Sequence, residues 1–374
     1  MSGMRHLSTE VFDMQFVKKV VNNLKVIAVF TVLFAFFSVT VYRMVTQENL
    51  NFSGKGKTAA EKIDTFSAEL ESAWNRLFPV QDELIAAAVK FQYYLTGEFS
   101  SAQVVQGEDN WLFYKATDDG DPIADYSGTN CFSEQSMTTI TDAMLKSQKV
   151  LQEKGIEFCV LVPPNKENVY SCFMPENYEK AEVTRTDRLI AALQDAGVHA
   201  VHPKEELIKH SKNYNTYYKY DTHWNELGAY IATRQVMDLW GISVDEATKD
   251  NVISVSKTYQ DLAKMVGIQD IFNDDKGMTV AGLYDGIDWE AFASEQLAGA
   301  SHLHNPEARF GKTLLLVGDS FRDAMVPTVC MYFEDVYVTH RYFYKQSMID
   351  EYDPDYMIVE YVERYSDQIT APVA

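Results

Sequence analysis

Short apolar runs alternate with amphipathic stretches through residues 104–366. The runs predict buried strands, because they are rich in branched apolar residues and are bounded by turn residues; they lie at 156–162, 198–201, 313–317, 336–339 and 356–359. Helical spacing of apolar residues between them predicts helices at 134–154, 185–197, 225–240 and 321–333. Strands that alternate with helices pair in parallel, so the pattern predicts an α/β fold with a mostly parallel sheet covered by helices on both faces.

A longer apolar run precedes this domain. Residues 26–42 carry no charge, and the segment 24–44 is long enough to span a bilayer. Lysines at 18, 19 and 25 favour an N-terminus on the cytoplasmic side. No small-residue cleavage site follows the run directly, which disfavours a cleaved secretory signal; a buried core helix is the other alternative. The sequence predicts a cytoplasmic tail at 1–23, a transmembrane anchor at 24–44 and an extracytoplasmic remainder in the cell membrane.

The remaining segments are assigned by composition and spacing. In residues 45–103, the composition predicts a polar linker, and the spacing of apolar residues after it predicts a helical stalk that Pro79 divides in two. The main domain then occupies 104–366 and a short tail occupies 367–374. Within the main domain, 241–311 is polar and irregular, with one or two helices predicted near 260–266 and 289–297.

Charge excludes one class of function. The chain has 374 residues and a net charge of −21. Nucleic-acid binding needs basic clusters that neutralise phosphates, and the sequence has none, so we predict no nucleic-acid partner.

The four cysteines form no CxxC motif, which argues against a zinc site or a redox motif. Cys131 and Cys172 each follow turn-like sequence, and they are a candidate disulfide in an extracytoplasmic domain; two free thiols are the alternative. His302 and His304 form an HxH motif, but a metal site there would need nearby carboxylates. We therefore predict no metal site and no cofactor.

One segment has the layout of a nucleophile turn. Residues 313–322 read TLLLVGDSFR: an apolar strand ends, Gly318 permits a sharp turn, and Ser320 begins a helix. A helix N-terminus offers free N–H groups and the positive end of a dipole, which stabilise an oxyanion. The Ser320 N–H is the first predicted oxyanion donor, and the sequence does not identify a second.

A serine nucleophile requires a base, and His223 is the best candidate. It lies in YDTHWN, directly before a predicted helix, with Asp221 two residues earlier. A carboxylate there can fix the imidazole tautomer and leave the other ring nitrogen for Ser320. The alternative is that Asp221 caps the helix and His223 is a surface residue.

The GDS turn and the DxH pair together resemble the SGNH/GDSL esterase superfamily. The Asp–His pair precedes the serine, and this permuted order, with Trp224 after the histidine, resembles the AlgX/AlgJ-like branch and the related DHHW proteins. Five stretches carry the resemblance, at 105–114, 162–170, 221–230, 318–321 and 354–364. It implies a three-layer, flavodoxin-like SGNH fold with Ser320 as nucleophile, His223 as general base and acid, and Asp221 as its orienter.

Other residues are weaker candidates. Gly318 and Asp319 flank the nucleophile and are assigned to oxyanion or substrate binding, with a turn role as the alternative for Asp319. Asn165 and Lys166 follow a strand end and are predicted to line the cleft. Arg341 is a candidate for carbonyl or substrate binding, or else forms a surface salt bridge, and Trp224 either walls the site or anchors its loop.

The resemblance implies an O-acetyltransferase, or acetylesterase, that acts on a cell-envelope or exported polysaccharide, and the apolar run at 24–44 predicts that it is anchored in the membrane. A multi-spanning membrane O-acyltransferase would supply the acetyl group. One alternative is a non-catalytic polysaccharide-binding or assembly subunit. The other is a phosphoester hydrolase that uses Asp221, His223 and Asp319 as metal ligands.

Overall fold

The structure is a computed structural model that describes residues 81–256, 259–284 and 300–373, together with residues 31 and 38. The chain forms two compact units, Met1–Ile85 and Ala86–Ala374. The predicted tail at 1–23, nearly all of the predicted anchor at 24–44, and the linker with Pro79 lie outside the described residues. Within the part of the chain that is described, no helix combines the length and apolarity that a bilayer crossing needs.

Five of the ten strands in the described residues fall at the predicted apolar runs. The ten strands are β1 (Val104–Gln106), β2 (Leu112–Tyr114), β3 (Glu157–Leu161), β4 (Ala200–Val201), β5 (Val252–Val255), β6 (Gly277–Val280), β7 (Ala300–His304), β8 (Phe310–Gly318), β9 (Phe333–His340) and β10 (Tyr356–Glu360).

The α-helices follow the same alternation. They are α1 (Gln81–Thr96), α2 (Pro122–Tyr126), α3 (Glu134–Glu153), α4 (Lys166–Val169), α5 (Arg185–Asp195), α6 (Lys204–Ser211), α7 (Glu226–Leu239), α8 (Asp261–Met265), α9 (Val326–Tyr332) and α10 (Ser347–Tyr352). Turns of 3-10 helix occupy Glu108–Asn110, Ser171–Phe173, Ser320–Met325 and Glu363–Gln368. The predicted helix at 321–333 is therefore a 3-10 turn followed by α9.

A six-stranded sheet organises the domain, in the order β4-β3-β10-β8-β9-β7. In this sheet, the neighbouring strands from β4 to β9 pair in parallel. The edge strand β7 pairs with β9, and this pair is antiparallel. The prediction of a mostly parallel sheet is confirmed. The antiparallel edge strand lies in the stretch predicted to be irregular, because its sequence ASHLH lacks the apolar run of a buried strand.

Helices cover both faces of this sheet. Leu314 and Leu316 of β8 pack into one core with α7 and α9, while Leu315 and Val317 pack into another with α3, α5 and α10. Successive side chains of a strand point to opposite faces, so one continuous run of leucines supplies both cores. The predicted α/β arrangement with helices on both faces of the sheet is confirmed.

The packed domain is longer than the sequence indicated. Val89 and Phe99 are buried in a third cluster with Phe272, so the end of the predicted stalk packs against the domain. At the other end, Ile369 and Val373 are buried, and Ser147 donates a hydrogen bond to the Val373 carbonyl. These apolar side chains, which follow the predicted boundary at 366, help to complete the core beneath α3.

The predicted disulfide is not formed. Cys131 and Cys172 are both exposed free thiols. Cys131 precedes α3 and Cys172 lies in the 3-10 turn Ser171–Phe173, and the Cys131 thiol contacts the Gly128 carbonyl at 3.7 Å. Turn-like sequence placed both residues at the surface, but it did not indicate whether their side chains meet.

Candidate active site

The nucleophile turn lies at the carboxyl end of β8, where open α/β sheets bind their ligands. Ser320 is the first residue of the 3-10 turn Ser320–Met325. Asp319 precedes it, and its carboxylate accepts hydrogen bonds from the N–H groups of Phe321 (3.0 Å) and Val362 (2.9 Å). This carboxylate therefore fixes the turn against the segment after β10.

Asp319 was assigned to oxyanion or substrate binding, with a turn role as the alternative, and its hydrogen bonds are those of a turn residue. Its N–H donates to Glu360 Oε2 at 2.9 Å, and both carboxylate oxygens already accept backbone N–H groups. The backbone N–H of Ser320 can still serve as an oxyanion donor, because the first N–H groups of a helix have no intrahelical acceptor. The turn role considered for Asp319 is the one that the contacts support.

Gly318 allows two buried groups to approach closely. A Cβ atom at this position would lie 2.3 Å from Glu360 Oε2 and 2.9 Å from Glu360 Cβ. Burial raises the pKa of the fully buried Glu360 well above its usual value, which favours the neutral form of this side chain. Gly318 therefore serves the packing behind the nucleophile rather than oxyanion binding.

A short loop brings the base to Ser320. Tyr217 and Trp224 pair as an antiparallel bridge, and the Tyr218 N–H donates to the His223 carbonyl at 3.2 Å. Asn225 caps α7 directly afterwards, and its side chain accepts the Gly228 N–H. This tight connection holds the histidine above the carboxyl end of the sheet.

The predicted nucleophile, base and carboxylate meet in this structure. His223 Nε2 lies 2.7 Å from Ser320 Oγ, and His223 Nδ1 lies 2.7 Å from Asp221 Oδ1. Asp221 Oδ1 also accepts the His223 N–H at 3.0 Å. The arrangement has the geometry in which a base can accept the serine proton while a carboxylate holds its other nitrogen.

Trp224 links the histidine loop to the nucleophile turn. Its side chain is 1% exposed, and the indole Nε1–H donates to the Phe321 carbonyl at 2.8 Å. The Phe321 ring also contacts the imidazole of His223, with ring centroids 4.9 Å apart. Trp224 therefore anchors the loop, and it also forms part of the cavity wall.

Asp261 is a site residue that the sequence did not reveal. Its N–H donates to Asp221 Oδ2 at 2.7 Å, and its own carboxylate accepts the Thr222 N–H at 2.7 Å. Asp261 Oδ2 also lies 3.6 Å from His223 Nδ1. The residue begins α8, which corresponds to the helix predicted near 260–266, but no motif connects it with the histidine loop.

The pKa values of Asp221, His223 and Asp261 are shifted by burial and by one another. Burial alone would raise the pKa of Asp221, but the hydrogen bond and charge of His223 outweigh it and lower this pKa. Burial alone would lower the pKa of His223, but Asp221 outweighs it and raises this pKa. Burial and the neighbouring Asp221 charge raise the pKa of Asp261. These shifts favour an ionised Asp221 beside a protonated His223.

Asp221, His223 and Asp261 also matter for the alternative in which the site binds a metal ion. Ligand atoms of Asp221, His223 and Asp261 lie within 4.8 Å of one another, which is close enough for one ion. The alternative set used Asp319 in place of Asp261, and both Asp319 oxygens accept backbone N–H groups, from Phe321 and Val362.

Lys166 and Asn165 lie beneath the site and do not line the cavity, contrary to prediction. The buried Lys166 ammonium donates to the carbonyls of Asp221 (2.5 Å), Tyr218 (3.2 Å) and Lys219 (3.2 Å). Burial lowers its pKa to about 8. Asn165 donates its N–H to the buried Glu363 carboxylate at 2.8 Å. Lys166 therefore holds the backbone of the histidine loop from below.

Arg341 neither lines the cavity nor forms the alternative salt bridge in the described residues. Its guanidinium stacks on three tyrosine rings, those of Tyr342, Tyr361 and Tyr365, and donates to the Tyr342 hydroxyl at 2.8 Å. Arg322 is the arginine in the cavity wall, and its Nη1 binds the Asp319 carbonyl. Arg322 was not among the predicted site residues, although it is two residues after Ser320.

A cavity of about 420 Å³ opens beside Ser320 and His223. Its aromatic wall is formed by Tyr218, Trp224, Tyr259 and Tyr284. Tyr259 and Tyr284 are 47% and 39% exposed, so their rings are accessible to a bound molecule. The hydroxyl of Tyr284 hydrogen-bonds to Glu226 Oε1, which adds a carboxylate to this wall.

The fold is that of the SGNH hydrolase-like class. The family model described as "SGNH hydrolase-like domain, acetyltransferase AlgX" matches residues 104–321, more than half of the chain. The chain belongs to this family. The match includes Asp221, His223 and Ser320, and it confirms the resemblance inferred from the sequence.

Solved structures share the fold. PatB1 of Bacillus cereus is 17% identical, with a TM-score of 0.50, over 70% of this chain and 96% of that one. A DHHW family protein from Eubacterium siraeum is also 17% identical, with a TM-score of 0.51, over 74% of this chain and 95% of that one. No curated protein sequence matches the chain.

Proposed function

We propose that this protein is a serine-dependent O-acetyltransferase that modifies a cell-envelope or exported polysaccharide. The observation that carries the proposal is the connected geometry of Ser320, His223 and Asp221, with both linking distances at 2.7 Å. Membership of the SGNH hydrolase-like acetyltransferase family supports the reaction class. The proposal includes an anchor at 24–44 that holds the domain outside the cytoplasm.

The reaction proceeds in two acyl transfers. Ser320 Oγ attacks the carbonyl carbon of an acetyl donor while His223 Nε2 takes the hydroxyl proton. The tetrahedral intermediate collapses, the proton passes to the leaving oxygen, and an acetyl-serine forms. A sugar hydroxyl then attacks this ester, His223 takes its proton, and collapse returns the proton to Ser320.

Charge stabilisation comes from three directions. Asp221 stabilises the imidazolium that forms in each step. The Ser320 N–H is the first oxyanion donor, and Arg322 supplies positive charge to the same cavity. Arg322 takes the place that the sequence analysis had given to Arg341.

The aromatic wall supports a carbohydrate acceptor. Sugar rings present apolar C–H faces that pack on tyrosine and tryptophan, and Tyr259 and Tyr284 are both exposed in the cavity that contains Ser320. An acceptor sugar on this wall would displace water from the acetyl-serine and favour transfer over hydrolysis. In the proposed assembly, a multi-spanning membrane O-acyltransferase supplies the acetyl group.

The test uses the full-length chain with p-nitrophenyl acetate as donor, alone and with a panel of uronate and N-acetylhexosamine oligosaccharides. We expect donor cleavage that requires Ser320, and acetylated sugar when an acceptor is present. Ser320→Ala should abolish both, while Ser211→Ala, a change at the end of α6, should alter neither. Cleavage without transfer to any sugar would indicate an esterase. Glycan binding without donor cleavage would favour the non-catalytic alternative.

A further inference from the structure

A second cluster of titratable side chains lies at the edge of the sheet, away from the active-site cavity. His302 and His304 alternate with Ser301 and Leu303 along β7. Side chains at alternate positions share a face, so both histidines lie on the face opposite that of Leu303, which packs into the core beneath α7. Ser301 lines the cavity beside Ser320, and the two histidines therefore face away from it.

Strand β9 supplies the carboxylates that the HxH motif lacks in the sequence. His304 lies directly opposite Asp335 in the antiparallel register. His302 Nε2 and His304 Nδ1 lie 2.7 Å and 3.0 Å from the same oxygen, Asp335 Oδ1. Glu334 adds a second carboxylate, since ligand atoms of His304, Glu334 and Asp335 lie within 4.8 Å of one another.

Stacking fixes the orientation of one imidazole. The ring of His302 lies parallel to that of Tyr337, with centroids 4.4 Å apart and an interplanar angle of 9°. Tyr337 stacks in turn on Tyr352 of α10, at 4.1 Å and 4°. This ladder limits the freedom of His302 before any ligand binds, which lowers the entropy cost of coordination.

We propose that His302, His304, Glu334 and Asp335 form a binding site for a divalent transition-metal ion, with Zn²⁺ as the best match. Imidazole and carboxylate ligands suit Zn²⁺, whereas Mg²⁺ and Ca²⁺ prefer sites built from oxygen alone. Ligand atoms about 2.0–2.2 Å from a tetrahedral ion are roughly 3.3–3.6 Å apart. The two imidazole nitrogens lie 2.7 Å and 3.0 Å from Asp335 Oδ1, so binding an ion would move each of them away from this oxygen by roughly 0.3–0.9 Å.

A bound ion would join β7 to β9 through side chains as well as through the backbone ladder. Edge strands expose unpaired backbone groups and are weakly held. An ion that binds the folded chain and not the unfolded chain raises the melting temperature. The site is therefore expected to stabilise the antiparallel edge that also carries Ser301 to the cavity wall.

The test is calorimetric titration of the full-length chain with Zn²⁺ and, separately, with Mg²⁺, followed by thermal melting. We expect one Zn²⁺ ion per chain, a rise in melting temperature with Zn²⁺, and no binding of Mg²⁺. The double variant His302→Ala/His304→Ala should lose Zn²⁺ binding. The control His210→Ala removes a histidine whose Nε2 is 3.8 Å from Glu206 Oε2, and it should bind like the original chain.

Two outcomes would overturn the proposal. One is the absence of Zn²⁺ binding by the original chain. The other is unchanged Zn²⁺ affinity in the double variant, which would place the ion elsewhere, for example among Asp221, His223 and Asp261. If the double variant does not fold, His304→Gln replaces it, since this side chain is 51% exposed. That variant should bind Zn²⁺ at least about tenfold more weakly, and equal affinity would contradict the site.

Discussion

Replacement of Asp221 by asparagine tests the geometry of the base most sharply. In the structure, Oδ1 accepts the N–H of His223 (3.0 Å) and faces Nδ1 (2.7 Å), while Oδ2 accepts the N–H of Asp261 (2.7 Å). Both oxygens are therefore acceptors, and an amide has only one. Whichever way the asparagine side chain is oriented, its NH₂ group must face a donor.

The expected magnitude follows from these contacts. Loss of the charge-assisted bond to the imidazolium costs about 1.5–3 kcal/mol, and a buried donor without an acceptor costs about 1–3 kcal/mol. The sum of about 2.5–6 kcal/mol corresponds to a roughly 10²- to 10⁴-fold loss in kcat/KM, if most of it falls on the transition state. The imidazolium forms during the reaction, so the charge-assisted part of the loss falls there.

The assay is kcat/KM for p-nitrophenyl acetate, with circular dichroism and thermal melting to establish that Asp221→Asn is folded. The matched control is Asp350→Asn, which removes an exposed carboxylate paired with Lys154 at 2.6 Å and should leave kcat/KM unchanged. A folded Asp221→Asn variant that lost less than about tenfold in kcat/KM would refute the orienting role.

Three further results are expected. Since Asp221 raises the pKa of His223 and catalysis needs the neutral imidazole, kcat/KM should rise with pH through a value above 6.5, and Asp221→Asn should move this inflection to lower pH; an unmoved inflection would contradict the coupling. Gly318→Ala should lower the free energy of unfolding by about 1–3 kcal/mol in a denaturant titration, since its methyl group meets Glu360, and an unchanged midpoint would contradict that contact. Lys166→Met leaves three loop carbonyls without their donor, so thermal melting and esterase assays should show losses in both stability and activity, and full activity would show that the loop does not need this ammonium.

The sequence was informative where hydrophobic burial decides the structure. The runs that became β3, β8, β9 and β10 are apolar because both faces of a central strand are covered, and their order along the chain predicted the parallel sheet. Strand β7 was missed for the same reason, since an edge strand can carry polar residues such as His302 and His304. Periodicity therefore predicted the layers of the fold better than the edge of its sheet.

The site was predictable only in part. The turn at Ser320 and the DxH pair have local signals, and the structure brings them together. Asp261 has none, because its contact is made by a backbone N–H, forty residues after Asp221 in sequence. Lys166 follows a strand end as a cleft residue would, but its side chain points under the histidine loop. Side-chain direction at a loop depends on tertiary packing, which spacing does not encode.

The central claim is that Ser320 carries the acetyl group, and the most direct measurement is mass spectrometry of the chain quenched during turnover of an acetyl ester. We expect one added acetyl group on the peptide that contains Ser320, absent in Ser320→Ala and discharged when an acceptor glycan is added. An acetyl group found elsewhere, or donor cleavage that persists in Ser320→Ala, would contradict the account.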